Sequence, residues 1–254
     1  YYTEMEPKAA FSAKHCERQS QLMNLNLTEV EKFDSLATQW WDKQGEFRTL
    51  HDINPLRANW IDNKSPVAGK RLLDVGCGGG ILCESLAQRG ADVIGIDAGK
   101  QSIKVANLHK LESGLSIDYF VSTAEDYAQK QPKQFDVVTC LEMLEHVPEP
   151  SSVVDACAKL VKPGGTVFFS TINRNPKSYF LAILGAEYIL KLLPVGTHNY
   201  SSFIRPSELA SWLRKAKLEV QSLTGLEYDL LRRRYRLNHN NADVNYMIYA
   251  TKPL

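Results

Sequence analysis

The sequence predicts a single α/β domain built on a mostly parallel, doubly wound sheet, and three observations predict it. Five short apolar runs (RLLDVGC, ADVIGID, IDYFVST, FDVVTCLEM and TVFFSTI) alternate with helix-length segments between residues 71 and 172. Strands separated in this way pair in parallel, because each crossover needs a helix to return to the same end of the sheet. The first run enters a glycine turn, Gly76-Cys77-Gly78-Gly79-Gly80, and the second ends on an acidic residue, Asp97.

Composition agrees with one globular domain. The chain has 254 residues, 44% hydrophobic and 23% charged, enough to bury a core without disulfides or a structural metal. Lys plus Arg number 30 against 29 Asp plus Glu, a net charge of +1 that gives no general attraction for nucleic acid. Five cysteines (Cys16, Cys77, Cys83, Cys140, Cys157) form no CxxC pair and read as reduced thiols of a cytosol-like compartment. No apolar run reaches membrane-spanning length, and the first fifteen residues lack the apolar region of a secretory signal. Residues 1–27 read as a flexible tail, with Met23 nearer the natural start, and residues 28–254 as the domain.

In chain order, Thr28 and Glu31 stand at capping-box spacing before Val30, Phe33, Leu36, Ala37 and Trp40, which predicts a helix over about 28–41. The aromatic and charged stretch GEFRTLHDINPLRANWI reads as irregular; with the helix it makes an N-terminal lid over 28–66. ILCESLAQRG predicts a helix ending at Gly90, and KQSIKVANLHKLESG one ending at Gly114. An insertion over 178–200 follows the fifth strand. Within it, Leu181, Leu184, Tyr188 and Leu192 follow helical spacing, with the Glu187 and Lys191 pair on the other side. Residues 178–194 are too short and too charged to span a bilayer. They suit a helix lying in the membrane interface or one packed on the core. LLRRRYRL at 230–237 reads as a solvated edge hairpin, with anionic-lipid contact as its alternative.

Strand, glycine turn and helix in that order present backbone N–H groups at a helix N-terminus beneath a nucleotide-like ligand. Glycine lets such a ligand approach the main chain, and Asp97 stands where ribose hydroxyls would find a carboxylate. The dinucleotide fingerprint G-x-G-x-x-G fails here, since Ile81 occupies the third glycine position. The segment from Asp74 to Gly80 instead resembles motif I of the S-adenosylmethionine-dependent methyltransferases. Lys162-Pro163-Gly164-Gly165 resembles the turn before their fifth strand.

The segments QWWDKQGEFRTLHDINPLR, LLDVGCGGGILCESLA, CLEMLEHVPEP, LVKPGGTVFFSTINRN, GAEYILKLLPVGTH and DVNYM together resemble the ubiquinone-biosynthesis O-methyltransferases, from about Val30 to Met247. The resemblance implies a Rossmann-like class I methyltransferase fold with N-terminal helices, and S-adenosylmethionine as cofactor. It implies methylation of catechol hydroxyls on polyprenylated ubiquinone precursors of the 2-polyprenyl-6-hydroxyphenol and 3-demethylubiquinol types. Carried over, Gly76 contacts the methionine part, Asp97 the ribose, Arg57 the methionyl carboxylate and Leu141 the adenosyl group. Many relatives carry Met at that last position. Another small phenolic acceptor, or cofactor binding without catalysis, are the alternatives.

A phenol has a pKa of about 10, so transfer to its oxygen at neutral pH needs a base or a Lewis acid. Glu142, Glu145 and His146 follow the fourth strand at the edge where ligands bind. They predict either a site for a divalent cation (Mg or Zn) clamping the substrate oxygens, or a general base. The expected partners are the lipid substrate, a membrane surface met through 178–194 and other ubiquinone-pathway enzymes, with no nucleic acid. The expected location is cytoplasmic, peripheral to the inner membrane.

Overall fold

The structure, a computed structural model, describes residues 24–179, 200–229 and 232–254. Eight strands form one sheet in the order β3-β2-β1-β4-β5-β8-β6-β7. They are β1 (Arg71–Val75), β2 (Asp92–Asp97), β3 (Ile117–Val121), β4 (Phe135–Leu141), β5 (Val161–Ile172), β6 (Glu219–Asp229), β7 (Arg234–Asn238) and β8 (Asn245–Thr251). The first five pair in parallel, β8 runs antiparallel between β5 and β6, and β7 closes the edge as a hairpin on β6. The arginine-rich run therefore leads into an edge strand, where its side chains meet solvent.

The sheet separates two apolar layers. Beneath one face lie α5 (Ala124–Lys130), α6 (Pro150–Leu160) and α7 (Pro206–Lys215), packed through Ala128, Val154, Leu160 and Leu209 against Leu73, Ile96, Val138 and Phe169. Over the other lie α2 (Arg48–Lys64), α3 (Ile81–Ala87) and α4 (Lys100–Ser113), whose Ile61, Leu86 and Ile103 meet Leu72, Val93, Val137 and Phe168. Neighbours on one strand, such as Leu72 and Leu73, thus enter opposite layers, as the two-residue period of a strand requires. The helix ends foreseen at Gly90 and Gly114 are glycine turns of positive φ, 88° and 69°. Cys77, Cys83, Cys140 and Cys157 are free and buried.

Three local expectations are corrected. The first helix, α1, covers Leu27–Ser35 rather than 28–41; its cap is Asn26, whose side chain accepts from the Glu29 N–H, and a 3₁₀ turn at Ala37–Gln39 follows. The stretch read as irregular is α2, a 17-residue helix that buries Ile53, Arg57, Trp60 and Ile61 at helical spacing despite Pro55. Its buried stripe carries a charge, which hid the period. The KPGG turn is not a boundary but a bulge inside β5: Phe135 pairs with Val161, and pairing resumes at Val137 with Thr166.

Asn24, assigned on sequence to the tail, is held by the domain: its amide donates to Glu125 at 2.7 Å and its oxygen accepts from the Glu149 N–H at 2.8 Å. The amphipathic segment 178–194 lies almost wholly outside the described residues. Among these, no helix is long and apolar enough to cross a membrane.

Candidate active site

Strand order reverses between β1 and β4, and loops at the carboxyl ends of such strands diverge to leave a crevice. A cavity lies there. The glycine turn gives it Gly76 and Gly78, the end of β2 gives Asp97 to Gly99, and the turn after β3 gives Ser122 to Glu125. From the segment after β4 come Glu142, Met143 and His146, and α1 closes it with Glu29, Val30 and Phe33.

The glycine turn is shaped from below by Asp74, which is 3% exposed and accepts the Thr139 hydroxyl at 2.7 Å and the Cys83 thiol at 3.3 Å. Burial pushes its carboxyl up to about 6, which those two hydrogen bonds only partly counter. From above it is roofed by the lid. A Cβ at Gly78 or Gly79 would run into the Trp40 ring, and one at Gly76 would lie 2.6 Å from Met143 Cγ. Trp40 itself stacks on Phe47 with ring centres 3.9 Å apart, and Trp41 Nε1 donates to the Gly79 carbonyl at 2.9 Å. Asp34 of α1 accepts from the Gln101 and Ser102 N–H groups, so the lid also supplies a cap for α4.

Asp97 stands on the cavity wall, each oxygen accepting one backbone N–H: Oδ2 from Gly78 at 2.9 Å and Oδ1 from Gly99 at 2.7 Å. Burial raises its carboxyl, and the two N–H bonds pull the other way. Each oxygen keeps a further lone pair for an incoming hydroxyl. Thr123 caps α5 by accepting from the Asp126 N–H at 3.1 Å, a cap legible in the spacing of Thr123 and Asp126.

The segment after β4 does not gather as a metal site. Glu142 lies 2.7 Å from Arg57 and accepts from Ser170 at 2.6 Å and from the Asn245 amide at 2.9 and 3.1 Å. Glu145 is 7% exposed and turns to the Thr171 hydroxyl at 2.8 Å; His146 Nδ1 turns to Glu29 at 2.8 Å. Among the described residues no group of three or more His, Cys, Asp or Glu side chains converges as a cation would require. The Mg or Zn expectation for Glu142, Glu145 and His146 thus finds no support in this arrangement, where each side chain is drawn to a separate partner.

The same contacts tune acidity. Burial pushes Glu145 up to about 7, with the Glu142 charge adding to it. Burial alone would lower His146, but its bond to Glu29 and the Glu145 charge outweigh that and raise it.

Two carried-over positions lie off the cavity wall. Leu141 is packed in the core layer beneath α2 and α3, and Met143, two residues on, faces the cavity instead. Arg57 is 6% exposed and stands behind Glu142. Its Nε and Nη2 atoms are buried without a hydrogen-bond partner among the described residues, so the contact with Glu142 is an ion pair rather than an aligned hydrogen bond. Sequence reasoning assigned no role to Trp40, Glu29, Asp34, Ser170 or Asn245. The WWD and DVNYM segments pointed to two of them, but nothing local signals Glu29 or Ser170.

Comparison with known proteins closes the assignment. A family model described as a methyltransferase domain matches residues 31–223. A Thermotoga maritima structure titled as a possible histamine N-methyltransferase superposes with a TM-score of 0.64 at 17% identity, covering 88% of this chain and 99% of that one. A Synechocystis magnesium protoporphyrin IX methyltransferase with bound SAH gives 0.60 at 20% identity, covering 82% and 85%. At such identities the two solved structures speak for the fold alone. Fold, family model and cavity define a class I S-adenosylmethionine-dependent methyltransferase.

Curated relatives narrow the class. Ubiquinone biosynthesis O-methyltransferase of Saccharophagus degradans is 59% identical over 233 residues, covering 92% of this chain and 99% of its own. The protein of that name in Pseudomonas entomophila is 62% identical over 231 residues, covering 91% and 99%. The chain belongs to the ubiquinone biosynthesis O-methyltransferase family.

Proposed function

We propose that the protein methylates catechol oxygens of polyprenylated ubiquinone precursors, with S-adenosylmethionine as donor. The observation that carries this is identity near 60% over nine-tenths of the chain to relatives whose name states the reaction. The cavity supports it. A groove of glycine backbone, one acidic residue at the end of β2 and an apolar wall of Ala124, Met143, Val147 and Val153 matches an adenosyl ligand without a pyrophosphate. When bound, that ligand supplies a sulfonium methyl: an O–C bond forms as the C–S bond breaks, and the electron pair goes to sulfur.

The chain's own residues then hold and align. Gly76 admits the methionine part, Asp97 accepts the ribose hydroxyls, and Leu141 backs the adenosyl side from the core. Arg57, behind Glu142 with Nη2 2.7 Å from its Oε1, is the guanidinium assigned to the methionyl carboxylate. The phenolic proton goes to His146. With Nδ1–H directed to Glu29, its Nε2 carries the lone pair, and the bond to Glu29 stabilises the imidazolium that results. Glu142 adds a carboxylate to the wall, and Glu145 backs the site from the interior beside Thr171. Residues 178–194, by their amphipathic spacing, are the surface by which the lipid substrate is drawn from a cytoplasmic membrane face.

The test is turnover with labelled cofactor on a prenylated catechol and on a soluble catechol. Preference for the prenylated acceptor is expected. Equal rates would favour a general phenol methyltransferase, and binding of cofactor without turnover on either would overturn catalysis.

A further inference from the structure

We propose that His109 is a positioning residue for cofactor binding: held by Glu84 and stacked on Trp41, it fixes the tryptophan lid on the glycine turn from outside the cavity. The inference rests on the cofactor reading above and goes beyond it, since none of these three side chains lines the cavity.

The array runs outward from the interior through three elements. Glu84 of α3 is 4% exposed, and His109 of α4 donates from Nδ1 to its Oε1 at 2.7 Å. That bond holds the imidazole in one plane. Against this plane lies the Trp41 ring, parallel to within 1° and with ring centres 3.3 Å apart. Trp41 in turn donates from Nε1 to the Gly79 carbonyl at 2.9 Å. A second histidine grips the same short segment. His51 of α2 stands at 60° to the Trp41 ring, and its Nε2 lies 2.8 Å from the Trp40 carbonyl.

Packing of α3 on α4 does not require this pair. Two apolar side chains would join the helices without burying a carboxylate, which is costly to take out of water. What Glu84 and His109 add is a ring of fixed orientation, and the side chain that uses it is Trp41. The effect reaches the cavity by two short steps. Trp40, the next residue back, lines the cavity and lies against Gly78 and Gly79. On the other side of the turn the Gly78 N–H donates to Asp97 Oδ2, the carboxylate assigned to the ribose. Lid and turn held in place before the ligand arrives have less freedom to lose on binding, which tightens it.

Calorimetry with S-adenosylhomocysteine on the full chain tests this in four proteins: wild type, His109→Gln, Trp41→Leu and the double variant. Glutamine keeps an N–H donor for Glu84 and removes only the ring. His109→Gln is expected to weaken binding roughly three- to tenfold, the size of one aromatic stacking contact, and Trp41→Leu at least as much. The double variant is expected to bind no more weakly than Trp41→Leu, because His109 acts through that ring. In turnover with a prenylated catechol, KM for S-adenosylmethionine should rise by a similar factor while kcat at saturating cofactor is kept. Unchanged affinity in His109→Gln, with only the urea midpoint lowered, would overturn the inference and leave the pair a clamp between α3 and α4. Equal weakening by His109→Gln in the wild type and in the Trp41→Leu background would overturn it too. Trp41→Leu leaves the Glu84–His109 pair whole, so unchanged affinity there overturns the inference even if His109→Gln does not fold. Failure of the wild type to bind S-adenosylhomocysteine would overturn the cofactor reading itself, and this inference with it.

Discussion

Breaking the Arg57–Glu142 pair from its two sides should cost unequal amounts. The Arg57 side chain is 7% exposed and that of Glu142 18%. Glu142→Gln leaves a guanidinium in the interior with no counter-charge and with Nε and Nη2 already lacking hydrogen bonds, which puts its cost at about 3–5 kcal/mol. Arg57→Met leaves a carboxylate that still accepts from Ser170 and Asn245 and sits nearer water, at about 2 kcal/mol. In the double variant no buried charge is orphaned, so its cost should fall below the sum by about 1–3 kcal/mol, as expected for contacting residues. Urea unfolding of the four proteins, with the m-value unchanged, supplies the cycle. Additive costs, or a larger loss from Arg57→Met than from Glu142→Gln, would refute the view that the buried guanidinium, stripped of water, sets the cost of breaking the pair.

Other substitutions probe the turn and its surroundings. Asp97→Ala should weaken S-adenosylhomocysteine binding by about 2–4 kcal/mol, two hydrogen bonds to a charged acceptor, read by calorimetry; unchanged affinity would remove Asp97 from the ribose site. For Asp74 the folded pKa of about 6 lies above the 3.8 of an unburied aspartate. Its contribution therefore favours folding below pH 4 and is lost as pH rises through 6, a swing of about 3 kcal/mol. Stability of Asp74→Asn relative to wild type should rise by up to that amount between pH 4 and 7, and parallel curves would contradict it. Gly79, unlike Gly78, has no positive φ, and the atoms nearest an added Cβ there are Cγ and Cβ of Trp40. Gly79→Ala should cost about 1–3 kcal/mol in the wild type and less in a Trp40→Gly background, which removes Cβ as well as the ring; equal costs in both backgrounds would mean the turn, not Trp40, demands glycine.

The parallel half of the sheet was legible because each strand and helix there is defined by its own neighbours in sequence. Leu72, Leu73 and Val75 announce β1, and Gly90 and Gly114 end their helices by conformations few other residues adopt. Where legibility failed, the determining contact was distant. The boundaries of α1 depend on Asn26 and on Asp34 meeting α4, and α2 escaped notice because Arg57 occupies its buried stripe in place of an apolar residue. The acidic cluster shows the same limit at the site. Adjacent numbers put Glu142, Glu145 and His146 together, but Arg57, Thr171 and Glu29 draw the three side chains to different places. Spacing along a chain predicts which side chains start near one another, not which partners arrive from elsewhere.

The glycine turn shows how a correct motif can carry more than one cause. Its sequence was explained by a ligand that must reach the backbone, and at Gly76 and Gly78 the positive φ of 74° and 52° adds a conformational reason. At Gly79 neither reason suffices. There the lid itself demands the missing side chain, since Trp40 lies on the turn and Trp41 bonds its carbonyl. The tryptophans of WWD and the glycines of the turn are therefore one device read from two ends, about forty residues apart. The lid that roofs the cavity also bears Glu29, the partner of His146. Trp40 against the turn and Glu29 against His146 thus stand within one N-terminal segment, which meets both halves of the cavity wall.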